Sequence, residues 1–139
     1  VCRMAREEFL HNRFYRDPEI DDKTAFNIKE NWALNYFAGK RGKWMVVIED
    51  YLGVGGFLQL LHDEENNALI IDLIAVARNC RGKGYARSMV TFASSECLGG
   101  TSKMKVGTQI SNSASISLYT GLGFNLTSAN YQLHLHIKN

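Results

Sequence analysis

Proline is almost absent: Pro18 is the one proline in 139 residues. Neither an internal repeat nor a low-complexity linker is present, so one domain over residues 1–139 is expected. The first residue is Val1 rather than Met, which leaves open a longer chain with an additional N-terminal region. Cysteine is scarce as well. Cys2, Cys80 and Cys97 make an odd count with no motif spacing, which argues against a disulfide framework and for a reducing, cytoplasmic setting. An excess of one charge is also lacking. Sixteen Lys and Arg against 14 Asp and Glu leave +2, too little to argue for nucleic acid or an anionic membrane as partner. No apolar run approaches the roughly 20 residues of a membrane helix, and no leader pattern opens the chain. His134 and His136 share one face of a strand without a third ligand nearby, so no metal is expected.

What is there suits an ordinary globular fold: 45% hydrophobic and 22% charged residues. Residues 1–5 read as a short edge strand. Asp17-Pro18 marks a turn, after which Asp21 or Asp22 caps a helix. Its apolar positions Ala25, Ile28, Trp32 and Tyr36 follow helical spacing, and Gly39 stops it. Trp44, Val46 and Ile48 alternate with Met45, Val47 and Glu49 as a half-buried strand. Residues 50–53 form a turn, 54–62 a strand weakened by Gly55 and Gly56, and 63–67 a hairpin tip. The apolar run 68–76 reads as a strand covered on both faces.

A helix follows with Ala86, Met89, Val90, Ala93 and Cys97 in one stripe, ended by Gly99-Gly100. Residues 103–109 form a strand. Residues 111–122 form a helix capped by Ser111 or Asn112, with Ala114, Leu118 and Leu122 on one face. Tyr131, Leu133, Leu135 and Ile137 then alternate in a terminal strand, which could lie at an edge and pair with a second copy as a homodimer. The order predicts an α+β fold on a mixed, mostly antiparallel sheet flanked by helices.

Between the buried strand and its helix lies Ala77-Arg78-Asn79-Cys80-Arg81-Gly82-Lys83-Gly84-Tyr85-Ala86. A helix start offers unpaired N–H groups and the positive end of its dipole to an anion. Gly82 and Gly84 remove the Cβ atoms that would keep a phosphate from the backbone, Ala86 is small, and Arg81 and Lys83 add positive charge. A dinucleotide fingerprint would need glycine where Arg87 stands, and a Walker loop would need Ser or Thr where Gly84 stands. A Gly-x-Gly turn that binds nothing remains the plainer account of the loop alone.

The strand Ile71-Asp72-Leu73-Ile74-Ala75-Val76 and this loop resemble the cofactor motif of the GNAT superfamily of N-acetyltransferases, with Arg81, Gly84 and Ala86 at its defining positions. Downstream, Val106-Gly107-Thr108-Gln109 running into Asn112, Ala114, Tyr119 and Leu122-Gly123-Phe124 resembles the second motif of that family. The resemblance implies that acetyl-CoA is the donor, its pyrophosphate on residues 81–86 and its pantetheine along Ile74, Ala75 and Val76 where the two strands splay. It implies direct attack by a primary amine, with Tyr119 as general acid to the leaving thiolate and Asn112 near the cofactor or serving as a cap.

Asp72, in an apolar run, is the candidate catalytic carboxylate; equally, a backbone or basic neighbour satisfies it and water removes the proton. Glu49 and His62 are other candidate bases. Cys80 beside the loop has no His near it in sequence and reads as a plain loop cysteine. Arg13-Phe14, Asp17-Pro18-Glu19-Ile20 and Trp32, with the second motif, resemble TDP-fucosamine acetyltransferases. That narrower likeness implies a sugar-nucleotide amine as acceptor, with Arg13 and Arg16 toward its phosphates. The alternatives are a protein or small-molecule amine, and a non-catalytic acyl-CoA sensor.

Overall fold

Alternating and β-rich segments give one sheet of four strands among the described residues. The structure is a computed structural model that describes residues 1–7, 21–131 and 133. Strands β1 (Trp44–Asp50), β2 (Gly53–Asp63) and β3 (Ala68–Val76) form an antiparallel meander, and β4 (Lys103–Val106) pairs with β3 in parallel. The β2–β3 tip is set by Asp63, whose carboxylate accepts the Asn66 N–H at 3.1 Å and its amide group at 2.8 Å.

Two register shifts decide which side chains face which layer. One lies opposite Gln59/Leu60, where β3 carries Asp72 as an extra residue; the other is at Ile48/Glu49, where β2 carries Gly55. Side chains alternate with period two, so one extra residue turns the rest of a strand over. Leu69, Ile71, Ile74 and Val76 accordingly join one core, while Leu73 and Ala75 join the other.

The first core lies under α3 (Tyr85–Glu96), which contributes Met89, Val90 and Ala93, and α4 (Ser113–Thr120), which contributes Tyr119. The second lies under α1 (Cys2–Glu7) and α2 (Asp22–Phe37), where Ala5 and Ala33 meet Phe57, Leu73 and Ala75. Fully buried Phe57, Leu58, Leu60 and Leu69 each contribute about 1.5–3 kcal/mol through burial. Asp21 caps α2, accepting the Thr24 N–H at 2.9 Å and its hydroxyl at 2.8 Å.

Residues 1–5 are not a strand. They enter α1, where Ala5 packs fully buried with Ala33 and Arg3 approaches Glu7 at 3.9 Å, one turn on. The expected strand 103–109 stops at Val106, and the helix expected over 111–122 is Ser113–Thr120, capped by Asn112 rather than Ser111. Residues 125–131 and 133 carry no strand pairing, and the remainder of the expected terminal strand, with His134 and His136, lies outside the described residues. So do Arg13, Phe14, Arg16 and the turn at Asp17-Pro18. No helix among the described residues is long and apolar enough to cross a membrane.

Candidate active site

The parallel pairing of β3 with β4 ends at Ile71–Val106. Beyond it, from the extra residue Asp72 to Val76, the β4-facing edge of β3 has no strand partner among the described residues. An unpartnered strand edge offers main-chain N–H and C=O groups to an extended ligand. Ile74, Ala75 and Val76 lie on this stretch.

The edge leads directly into the glycine-rich loop. Arg78–Cys80 makes one 3-10 turn, and Arg81 folds back so that its Nε donates to the Val76 carbonyl at 3.4 Å. Gly82 and Gly84 take φ of 75° and 80°, a left-handed backbone that other residues adopt only with strain. Gly84 is the N-cap of α3, and no side chain among the described residues caps this helix start. No acidic residue occupies its first turn, and Gly82, Lys83 and Gly84 are exposed. The first N–H groups of α3 therefore remain open to an outside anion. A diphosphate fits this loop: its backbone is exposed at residues 82–84, and no side chain among the described residues caps the helix start.

α4 closes the other side. Asn112 Oδ1 accepts the Ser115 N–H at 3.1 Å, so its capping role is realised. At the far end the N–H groups of Leu122 and Phe124 both bond the Tyr119 carbonyl at 3.0 Å, with Gly123 at φ 90° making the turn. That explains the Leu122-Gly123-Phe124 sequence and sets the Phe124 ring 5.4 Å from the Tyr119 ring. Arg87 in the first turn of α3 donates to the Gly121 carbonyl at 3.3 Å, bracing the two helices. Tyr119 is buried, and burial pushes its phenol up to about 12. No hydrogen bond engages its hydroxyl among the described residues.

Asp72 stands at the split, on the α2 side, with its carboxylate fully engaged. Oδ2 accepts from Trp32 Nε1 at 2.9 Å, Tyr36 OH at 2.8 Å and Arg41 Nε at 2.7 Å, while Oδ1 accepts from Arg41 NH2 at 2.6 Å. Arg41 also lies over the Trp32 ring, 4.5 Å from its centroid. The Asp72 hydrogen bond raises the Arg41 pKa, and burial followed by the bond to Asp72 raises that of Tyr36. The basic neighbour entertained for Asp72 is thus Arg41. Nothing in the sequence pointed to it, because 31 residues separate the pair.

The remaining candidates scatter. Glu49 lies on β1 opposite Val54, two strands from the split, and His62 pairs with Leu69 at the other end of β3. Cys80 is buried, with its Sγ 4.0 Å from Asp50 Oδ2. Among the described residues no three His, Cys, Asp or Glu gather as a metal site. The link from Tyr85 OH to Asp50 Oδ2, 2.9 Å, was likewise not foreseen.

A split sheet edge thus runs into a helix start that no side chain caps among the described residues. Residues 4–124 match the acetyltransferase (GNAT) family, and the chain belongs to that family. It is 30% identical, over 97% of its length, to the spore coat polysaccharide biosynthesis protein SpsD of Bacillus subtilis (strain 168). The match covers 46% of that protein, so the chain spans about half the length of this relative. The IAA acetyltransferase from Bacillus cereus ATCC 14579 is 32% identical, covering 60% of this chain and 56% of its own, with a TM-score of 0.57. A Pyrococcus furiosus structure at 17% identity shares the fold over 97% of this chain and 91% of its own, TM-score 0.74.

Proposed function

We propose that this chain moves an acetyl group from acetyl-CoA to the primary amine of a nucleotide-linked amino sugar, by direct attack in a ternary complex. One observation carries the donor half: the glycine-lined start of α3, uncapped by any described side chain, follows a β3 edge that has no strand partner among the described residues. Main-chain N–H groups of residues 82–86, with Arg81 and Lys83, hold the pyrophosphate. Ile74, Ala75 and Val76 pair with the pantetheine arm, and an N–H from this edge polarises the thioester carbonyl. Asn112, besides capping α4, faces the cofactor. Acetyl-CoA supplies the activated acyl group.

The neutral amine attacks the carbonyl carbon; the C–N bond forms and the C–S bond breaks. Tyr119 donates its phenolic hydrogen to the departing sulfur. With the phenol already raised to about 12 by burial and a thiol near 8.5, full proton transfer is uphill by about 5 kcal/mol. Tyr119 therefore begins as a hydrogen-bond donor to the sulfur, and transfer completes as the site stabilises the phenolate or raises the basicity of the thiolate. The Asp72 carboxylate already accepts four hydrogen bonds, two of them from Arg41. In this reading Asp72 orders Trp32, Tyr36 and Arg41 at the acceptor side of the split, and water takes the proton of the amine.

The sugar assignment is supported by the likeness to SpsD, whose name places it in spore coat polysaccharide biosynthesis. Thiol release from acetyl-CoA with a panel of TDP-linked amino sugars, peptide N-termini and small diamines tests it. Turnover restricted to peptides or diamines would move the acceptor to that class. Donor binding with every amine inert would replace the enzyme by a sensor.

A further inference from the structure

Tyr85 is the first residue of α3, and its side chain reaches the end of β1 rather than the loop it follows. Its hydroxyl donates to Asp50 Oδ2 at 2.9 Å, while Asp50 Oδ1 accepts the Leu52 N–H at 2.8 Å. The contact needs a residue without a side chain at position 55. A Cβ on Gly55 would lie 2.6 Å from Tyr85 Cε2 and 3.2 Å from Cys80 Sγ. Gly55 is also the extra residue of the β1–β2 pairing, and its carbonyl accepts the Ala77 N–H at 3.0 Å. Both ends of the glycine-rich loop, Ala77 at its entry and Tyr85 at its exit, are therefore tied to one hairpin end. Lys83 lies between them, its ammonium 6.0 Å from the Tyr85 ring.

We infer that the Asp50–Tyr85 hydrogen bond, seated over Gly55, is a positioning device that sets the loop backbone for the pyrophosphate of CoA. The inference rests on the acetyltransferase reading above. A loop with two glycines at positive φ has many conformations to lose, and fixing both ends lowers the ordering cost when the anion arrives. The arrangement also directs the Asp50 charge at two donors, Leu52 N–H and the Tyr85 hydroxyl, rather than at an incoming anion. Neither residue touches the reacting atoms.

Calorimetric binding of CoA and of pantetheine, which lacks the pyrophosphate, tests this without an acceptor. Tyr85→Phe keeps the ring over Gly55 and removes only the hydroxyl. It should weaken CoA about ten-fold, the scale of a lost charge-assisted hydrogen bond, and leave pantetheine unchanged. Gly55→Ala, on a different strand, should do the same by displacing the ring. Asp50→Asn should retain CoA affinity within about two-fold, because its amide can still bond both Leu52 N–H and the phenol oxygen. If Tyr85→Phe does not fold, the same outcomes are read on Asp50→Ala. Wild-type CoA affinity in both Tyr85→Phe and Gly55→Ala overturns the inference and leaves the enzyme reading standing. Parallel weakening of pantetheine also overturns it, because a general loss of structure would then suffice. A wild-type chain that binds neither ligand overturns both readings.

Discussion

Removing Arg41 should expose what the Asp72 carboxylate costs when unpaired. The Asp72 side chain is 6% exposed and accepts four hydrogen bonds, two of them from Arg41 at 2.6 and 2.7 Å. Breaking a buried ion pair from one side costs about 3–5 kcal/mol, since the remaining charge keeps its desolvation penalty. Two features reduce that figure here. Trp32 and Tyr36 still donate to Oδ2, and the Arg41 side chain is 35% exposed, so water can reach the vacated side. Arg41→Met is therefore expected to lose about 2–3 kcal/mol. Asp72→Leu in the Arg41→Met background removes the stranded charge and should recover part of the loss. Urea denaturation of wild type, both single variants and the double variant measures this as a cycle. A coupling of about 1.5 kcal/mol or more is expected. Additivity within about 0.5 kcal/mol, or an Arg41→Met cost under about 1 kcal/mol, would refute the reasoning.

Tyr119→Phe should lower kcat by ~10²–10⁴-fold with little change in CoA affinity, the scale of a positioned acid; an unchanged kcat removes the assignment. The same phenol predicts a pH effect on stability. Its folded value, about 12, lies above the unfolded value near 10, so its contribution is fully present below pH 10 and is lost as pH rises through 12. Tyr119→Phe should flatten that alkaline decline in a melting-temperature series, and an equal decline in both proteins would count against it. Gln59 is fully buried; its Nε2 makes a long 3.4 Å bond to the Ala33 carbonyl and its Oε1 has no partner among the described residues. Gln59→Met keeps the shape and removes the unpaired oxygen, so denaturant melts should show it stable within about 1 kcal/mol of wild type or better. A loss above about 2 kcal/mol would mean that Oε1 is satisfied after all.

The meander was legible because its signals are local: alternation in β1, turn residues at 50–53 and 63–67, and an apolar run whose limits, Ala68–Val76, match the strand. The position of the loop was legible for the same reason, since Gly82 and Gly84 mark it locally; their positive φ is seen only in the structure. What stayed hidden depends on partners distant in sequence. The six residues of α1 lack a helical stripe of their own and are held by burial against α2. Asp72 stood out as a charge in an apolar strand, yet its meaning required Arg41, Trp32 and Tyr36 from another layer. Gly55 looked like a weak point in a strand; in three dimensions it is the clearance for Tyr85.

Backbone amide NMR during CoA titration tests the central claim most directly. The account predicts the largest shifts at the N–H groups of residues 82–86 and 74–76, with pantetheine alone moving only the second set. No saturable shifts, or shifts that leave residues 82–86 untouched, would contradict it.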